Sequence, residues 1–152
     1  MFNPSKGKKA LRCLLENKKI LKVLHDCRND WDSLLYQFKV RLFNFLDTQE
    51  VNFVYDLFYD MSISLPISLY NFLDKFSFIQ LDYKKKLKNE MSNDFKVWAE
   101  RPLPEERLIY AAEDVQYLLL AWHNAEIFFN HNLLEIVLFF NKDFHAFNSK
   151  GS

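Results

Sequence analysis

Glycine is almost missing from this chain: 152 residues hold two. So few residues that accept left-handed backbone leave little provision for tight turns, whereas 16 phenylalanines supply ample packing material. Helices are the expected default. Cysteine is equally sparse. Cys13 and Cys27 form no CxxC unit and have no second pair, which excludes a disulfide framework and a four-cysteine zinc site. With no acceptable N-x-S/T sequon, this points to a reducing compartment, cytoplasmic or nuclear rather than secreted. An excess of either charge is lacking too, since 20 basic residues balance 20 acidic ones. Any surface for nucleic acid must be local. No apolar run approaches the roughly 18 residues that span a bilayer. YLLLAW and LLEIVLFF are the strongest, and Glu16, Lys18 and Lys19 interrupt the N-terminal region where a signal peptide would lie. The expectation is a soluble chain with no membrane partner. The length suits one domain, placed at residues 1–145, with NSKGS inside a disordered tail at 146–152.

Periodicity then orders the chain. Ala10, Leu11, Leu14 and Leu15 have helical spacing over residues 8–17, while KILKVLH at 19–25 reads as a buried parallel strand. Asn29 or Asp30 can cap a helix carrying Trp31, Leu34, Leu35 and Phe38. A second strand is expected at LFNFL, 42–46, completing a strand-helix-strand unit whose crossover should be right-handed. Asp47 and Thr48 can start the next helix, with Val51, Val54, Tyr55 and Phe58 as its apolar stripe. SLPISLYNFLDKF is helical, with Pro66 in a first turn. Pro102 and Pro104 make WAERPLPEE an extended loop, after which residues 106–120 form a long helix. After His131, LLEIVLFF suggests one more.

Within that long helix Tyr110 and Asp114 lie four positions apart and so share a face, while Ile109, Val115, Leu118 and Leu119 supply apolar packing. A phenol beside a carboxylate can hold a metal and a water, or can form a half-buried helix edge. Lys84, Lys85, Lys86 and Lys88 read either as a solvated helix face or as contacts to a single-stranded backbone, the latter making binding salt-sensitive. Arg101 can be an ion-pair partner or a phosphate contact. His25 and Cys27, with no further ligand at suitable spacing, read as strand-end packing, and Trp98 as an anchor rather than a base-stacking platform.

Two ordered stretches, ILKVLHDCRNDWDSLLYQFKVRLFNFLDTQ and WAERPLPEERLIYAAEDVQYLLL, resemble the DEDDy group of 3'-5' exonucleases. The HDCRND and DTQ wording is nearest to the Egalitarian and exonuclease-3'-5'-domain-like proteins, and more distantly similar to ribonuclease D. The resemblance covers residues from about 8 to about 125. It implies an α/β fold, helix-rich and ribonuclease-H-like. It makes Asp30 the aspartate of the second exonuclease motif, with Asp26 and Asp32 as alternatives in a slipped register, and Tyr110 and Asp114 the Y-x-x-x-D third motif. Trp98, Arg101, Pro102 and Leu103 match the W-x-x-R-P-L element. In such enzymes, the resemblance implies, four carboxylates hold two divalent ions and the tyrosine orients a water. Mg²⁺ or Mn²⁺ would then be bound by Asp30 and Asp114, while Arg101, Lys84, Lys85 and Lys88 would touch nucleic acid. Hard oxygen ligands suit those ions, and two of them clamp an in-line displacement.

The sequence departs from the family pattern at one point. Its first motif, an Asp-x-Glu on an early strand, occurs nowhere in these 152 residues. The expectation is an N-terminally truncated fold with a small remnant parallel sheet, whose apolar edge is left to a helix, a partner or a second copy. Two functions follow. The chain is part of a 3'-5' exonuclease acting on RNA or single-stranded DNA, catalytically incomplete until the Asp-x-Glu is supplied, or it is a pseudonuclease adaptor acting through protein contacts or as a homodimer.

Overall fold

The computed structural model of the chain describes residues 4–60, 66–79, 95–129 and 135–137. These fall into two compact units, Met1–Leu65 with Asn130–Ser152, and Pro66–Phe129. Among the described residues no helix is long and apolar enough to cross a membrane.

The first unit opens with α1, Pro4–Leu15, whose proline needs no hydrogen-bond partner at a helix start. The Asn17 side chain then accepts from the Lys19 and Ile20 N–H groups, an Asx turn that redirects the chain into β1, Lys22–Leu24. β1 pairs in parallel with β2, Phe45–Asp47, in the register Lys22 with Phe45, Val23 with Leu46 and Leu24 with Asp47. The second strand therefore begins three residues later than the apolar run LFNFL suggests. Asn44 is the reason: it adopts a left-handed conformation, φ 50°, that cannot sit in a strand. Leu42 is buried all the same, so the hydrophobic pattern records its burial and not its backbone.

Between the strands runs α2, Arg28–Asp32, continued by a π-helical turn, Ser33–Gln37. Cys27 stands at its N-cap with no side-chain cap bond, so neither Asn29 nor Asp30 caps it; both lie within the first turn. Cys27, Trp31, Leu42 and Phe45 form a buried cluster, against which Leu15, Leu24, Leu34 and Leu35 pack. Asp47 caps α3, Thr48–Tyr55, by accepting the Gln49 N–H, as its position before a helical pattern predicts. Val51 and Val54 are fully buried, but Phe58 is exposed. The helix widens into a π-turn, Asp56–Asp60, and that change of period rotates Phe58 off the apolar stripe.

The second unit packs α4, Leu69–Ser77, on α5, Glu105–Phe128. Ser68 caps α4 by accepting from Asn71 N–H, and Pro66 stands before the helix rather than in its first turn, since the cap falls two residues further on. Phe72, Leu73 and Phe76 are buried on one face, with the two rings 4.8 Å apart. Facing them, α5 buries Leu118, Ala121, Trp122 and Ala125, a stripe of i, i+3, i+4 and i+7 in which alanines allow close approach. Asn124 donates to the Phe76 carbonyl, satisfying an acceptor in the last turn of α4. Ile109, Val115 and Leu119, read as packing residues, are exposed. Apolar residues surround this helix, and its buried stripe is the one that faces α4. Of the LLEIVLFF segment, residues 135–137 are helical with Val137 buried; the rest of it and the expected tail lie outside the described residues.

Truncating Phe72 to alanine removes a fully buried ring and should cost about 3–5 kcal/mol of unfolding free energy. Ser68→Ala removes one exposed cap bond and should cost about 1 kcal/mol. Urea titrations of both variants measure the difference.

Candidate metal and nucleic-acid site

Asp30 belongs to the first unit, and Arg101, Tyr110 and Asp114 to the second. Lys84, Lys85, Lys86 and Lys88 lie outside the described residues.

The strand pair delivers Asp30. β1 and β2 end side by side at Leu24 and Asp47, and the crevice beyond the carboxyl ends of parallel strands is where open α/β sheets place ligands. There the Asp47 carboxylate is 6% exposed and engaged at both oxygens. Oδ1 accepts from the Asp26 and Gln49 N–H groups and Oδ2 from the Cys27 N–H, each at 2.9 Å. Asp26 is left-handed, φ 50°, so this carboxylate holds a turn that a glycine would otherwise make without steric cost. α2 starts directly from that turn, with the Trp31 N–H donating to the Cys27 carbonyl at 2.7 Å. Asp30 sits in this first turn and is exposed.

Acidic groups crowd this strand end. Partial burial, then the charges of Asp26 and Asp47, push the Asp30 carboxyl above its ordinary range. Burial and neighbouring Asp47, Glu50 and Asp30 push the Cys27 thiol far up, so it is a protonated packing group and no nucleophile. His25 is half-buried, its Nδ1 2.6 Å from the Thr48 hydroxyl and its Nε2 3.4 Å from the Gln49 amide, which agrees with a strand-end structural role. Asp26 forms a surface ion pair with Arg28 at 2.7 Å.

In the second unit α5 sets Tyr110 and Asp114 on one face, and burial together with the Asp114 charge raises the phenol's proton affinity. Glu113 is raised as well, by desolvation and then by Asp114. The 3₁₀ turn Phe95–Trp98 sets its last residue against the tyrosine in a tilted ring contact, centroids 6.1 Å apart at 57°. Trp98 thus anchors the loop against the tyrosine that it precedes. Arg101 donates to the Trp98 and Glu100 carbonyls at 2.9 and 2.6 Å while remaining exposed, and its bond to Pro102 is cis. Glu100 is paired with Arg107.

Hard carboxylate oxygens are right in kind for a divalent ion. Among the described residues no group of three or more histidine, cysteine or acidic side chains is gathered to hold one. Sequence reading missed Glu50 and the double role of Asp47. The DTQ wording marked the place, but the bonds of Asp47 to residues 20 and 21 positions upstream leave no periodic trace.

Glu50 gives the site a pH signature. Its Oε2 is buried without a hydrogen-bond partner among the described residues, and burial followed by the Asp47 charge lifts its pKa from 4.5 to about 8. Between those values the folded chain binds more protons than the unfolded one, so stability falls as pH rises through that window. Thermal melts from about pH 5 to about pH 9 should show that decline, and Glu50→Gln should flatten it and raise the melting temperature at the alkaline end.

Comparison with known proteins gives the family. Residues 4–126 match the model of a 3'-5' exonuclease family. The chain is 34% identical over 122 residues to the piRNA biogenesis protein EXD1 of Danio rerio, covering 74% of this chain and 31% of that protein. Against EXD1 of Mus musculus it is 34% identical over 116 residues, covering 72% and 20%. It therefore spans about a third or less of the curated relatives it matches. The crystal structure of Trypanosoma brucei RNase D in complex with RNA U12 superposes with a TM-score of 0.68 at 25% identity, over 86% of this chain and 42% of that one. Asp30, Arg101, Tyr110 and Asp114 all fall inside the matched span, its helix-rich architecture with a two-stranded parallel sheet is that of the ribonuclease-H-like exonucleases, and the chain belongs to the DEDDy-type 3'-5' exonuclease family.

Proposed function

We propose that these 152 residues form an RNA-binding 3'-5' exonuclease domain that holds part of a two-metal site and is catalytically incomplete as it stands. The observation that supports this reading is the family match over residues 4–126, the span in which Asp30, Tyr110 and Asp114 lie, in a sequence that contains no Asp-x-Glu. RNA is favoured over single-stranded DNA because the superposed RNase D is bound to RNA and the EXD1 relatives are named for piRNA biogenesis.

Asp30 and Asp114 are the proposed carboxylate ligands for Mg²⁺ or Mn²⁺, the ions on which the family's activity depends. The crowding that raises the proton affinity of Asp30 is the crowding a cation would relieve. When bound, such ions supply an activated water and stabilise a leaving oxygen. Tyr110, kept a neutral phenol by burial and by Asp114, can donate its O–H to orient a water. Arg101 presents an exposed guanidinium that donates to the Trp98 and Glu100 carbonyls, and Lys84, Lys85 and Lys88 supply further positive charge for the phosphate backbone of RNA.

Fluorescence anisotropy with a 3'-labelled oligouridylate tests the binding. Affinity should fall as salt rises, and replacing Lys84, Lys85 and Lys88 together by alanine should reduce the log–log slope by about 2, at roughly 0.7 per phosphate contact on a single strand. Salt-independent or absent binding overturns the RNA reading. With Mg²⁺ or Mn²⁺ the 152-residue chain should release no nucleotide, whereas a version extended by a strand bearing Asp-x-Glu should. Release by the chain alone overturns the incompleteness.

A further inference from the structure

We infer that Asp47 is a positioning residue for Asp30: its carboxylate fixes the β1–α2 turn, and through that turn the direction in which the first turn of α2 presents Asp30. The functional side of this inference rests on the reading of Asp30 as a metal ligand; the geometric side does not.

Asp47 does two separable jobs. One is local, the cap of α3 through Gln49 N–H. The other is long-range, the acceptance of the Asp26 and Cys27 N–H groups from the facing strand end. The second job is the less replaceable. Asp26 stands at φ 50° without being glycine, a conformation that costs energy and persists only where surrounding bonds enforce it. Cys27 follows as the N-cap of α2 and makes no cap bond of its own, so the entry angle of the helix is set by what holds the Cys27 N–H. What holds it is Asp47 Oδ2. Three residues on, Asp30 inherits that angle.

The chemistry of the carboxylate makes the two jobs distinguishable. Aspartate, asparagine and serine are nearly equal helix caps. Only the carboxylate offers acceptors on both sides. In Asp47→Asn one oxygen can still cap α3, but an NH₂ group would then face the Cys27 N–H, donor against donor. Asp47→Ser retains a cap oxygen and is too short to span the gap.

The test uses the full 152-residue chain. In the wild type, the Asp26 and Cys27 amides should exchange with solvent at least tenfold more slowly than the same residues in an unstructured peptide. Exchange at the peptide rate overturns the inference outright, with no variant needed. In Asp47→Asn and Asp47→Ser, melting should remain cooperative, Cys27 protection should drop by tenfold or more, and residual dipolar couplings of residues 28–31 should change while those of residues 48–55 hold. Unchanged couplings and protection in a folded variant overturn the inference. Mn²⁺ titration is the functional arm. Paramagnetic broadening should centre on Asp30 and vanish in Asp30→Asn, and Asp47→Asn should weaken the apparent affinity about 10–100-fold, the range found when a group orienting a metal ligand is lost. Broadening that is absent, or unaffected by Asp30→Asn, removes the ligand reading and leaves the clamp to be judged on the couplings. Broadening lost in Asp30→Asn but undiminished in Asp47→Asn overturns the positioning role and leaves the ligand reading intact.

Discussion

The first unit is organised by one buried carboxylate. Removing an ionised group from water costs several kcal/mol unless hydrogen bonds replace the lost hydration, and Asp47 meets that requirement with three backbone N–H groups, two from the end of β1 and one from the start of α3. The bonds run to a left-handed residue, to a helix N-cap and to a first helical turn. Each alone is a local device. Joined at one side chain, they tie the end of β1 to the starts of α2 and α3, so a single acceptor connects the strand end to both helices that leave it.

That arrangement answers the shortage of glycine. Four described residues take left-handed backbone, Asp26, Lys39, Asn44 and Phe78, and none is glycine. Asp26 is held by Asp47, and Asn44 by its carbonyl's bond to Lys22 N–H at 2.9 Å. Phe78 ends α4, where Ser77 Oγ donates back to the Leu73 carbonyl and accepts from Ile79 N–H. Three of these four turns, which glycine would form passively, are thus tied by side-chain or backbone bonds.

These same turns explain what the sequence conceals. Periodicity locates α1, α3, α4 and α5; in the last three it records a buried stripe, whereas α1 is a helix whose Ala10, Leu11 and Leu14 are exposed. It misplaces β2 by three residues, because Leu42 is buried from irregular backbone before Asn44 turns the chain. It assigns the cap of α2 to Asn29 or Asp30, because cap preference is local whereas the bond that sets that helix is made 20 residues away. Around α5 it counts apolar residues that are exposed, since among the described residues it is the stripe toward α4 that is buried. Tyr110 and Asp114 were legible as a pair, one helical turn apart. Asp47 was legible as a cap and not as a clamp.

Four carboxylates at the ends of β1 and β2 would be a poor arrangement if all were alike. They are not. Asp26 is paired with Arg28, Asp47 has both oxygens taken by backbone N–H groups, and Glu50, with a pKa near 8, is largely protonated at neutral pH. Asp30 is left exposed, its proton affinity raised by its neighbours, with no ion-pair partner among the described residues. A register read from sequence alone admits Asp26 or Asp32 as substitutes. Asp26 is disfavoured by its engagement with Arg28, and Asp32 lies outside the group of acids whose charges raise the proton affinity of Asp30. A cation entering this strand end would find one carboxylate already held as structure, one already neutral, one already paired, and one in a position to bind, which is the physical case for Asp30 as the proposed ligand.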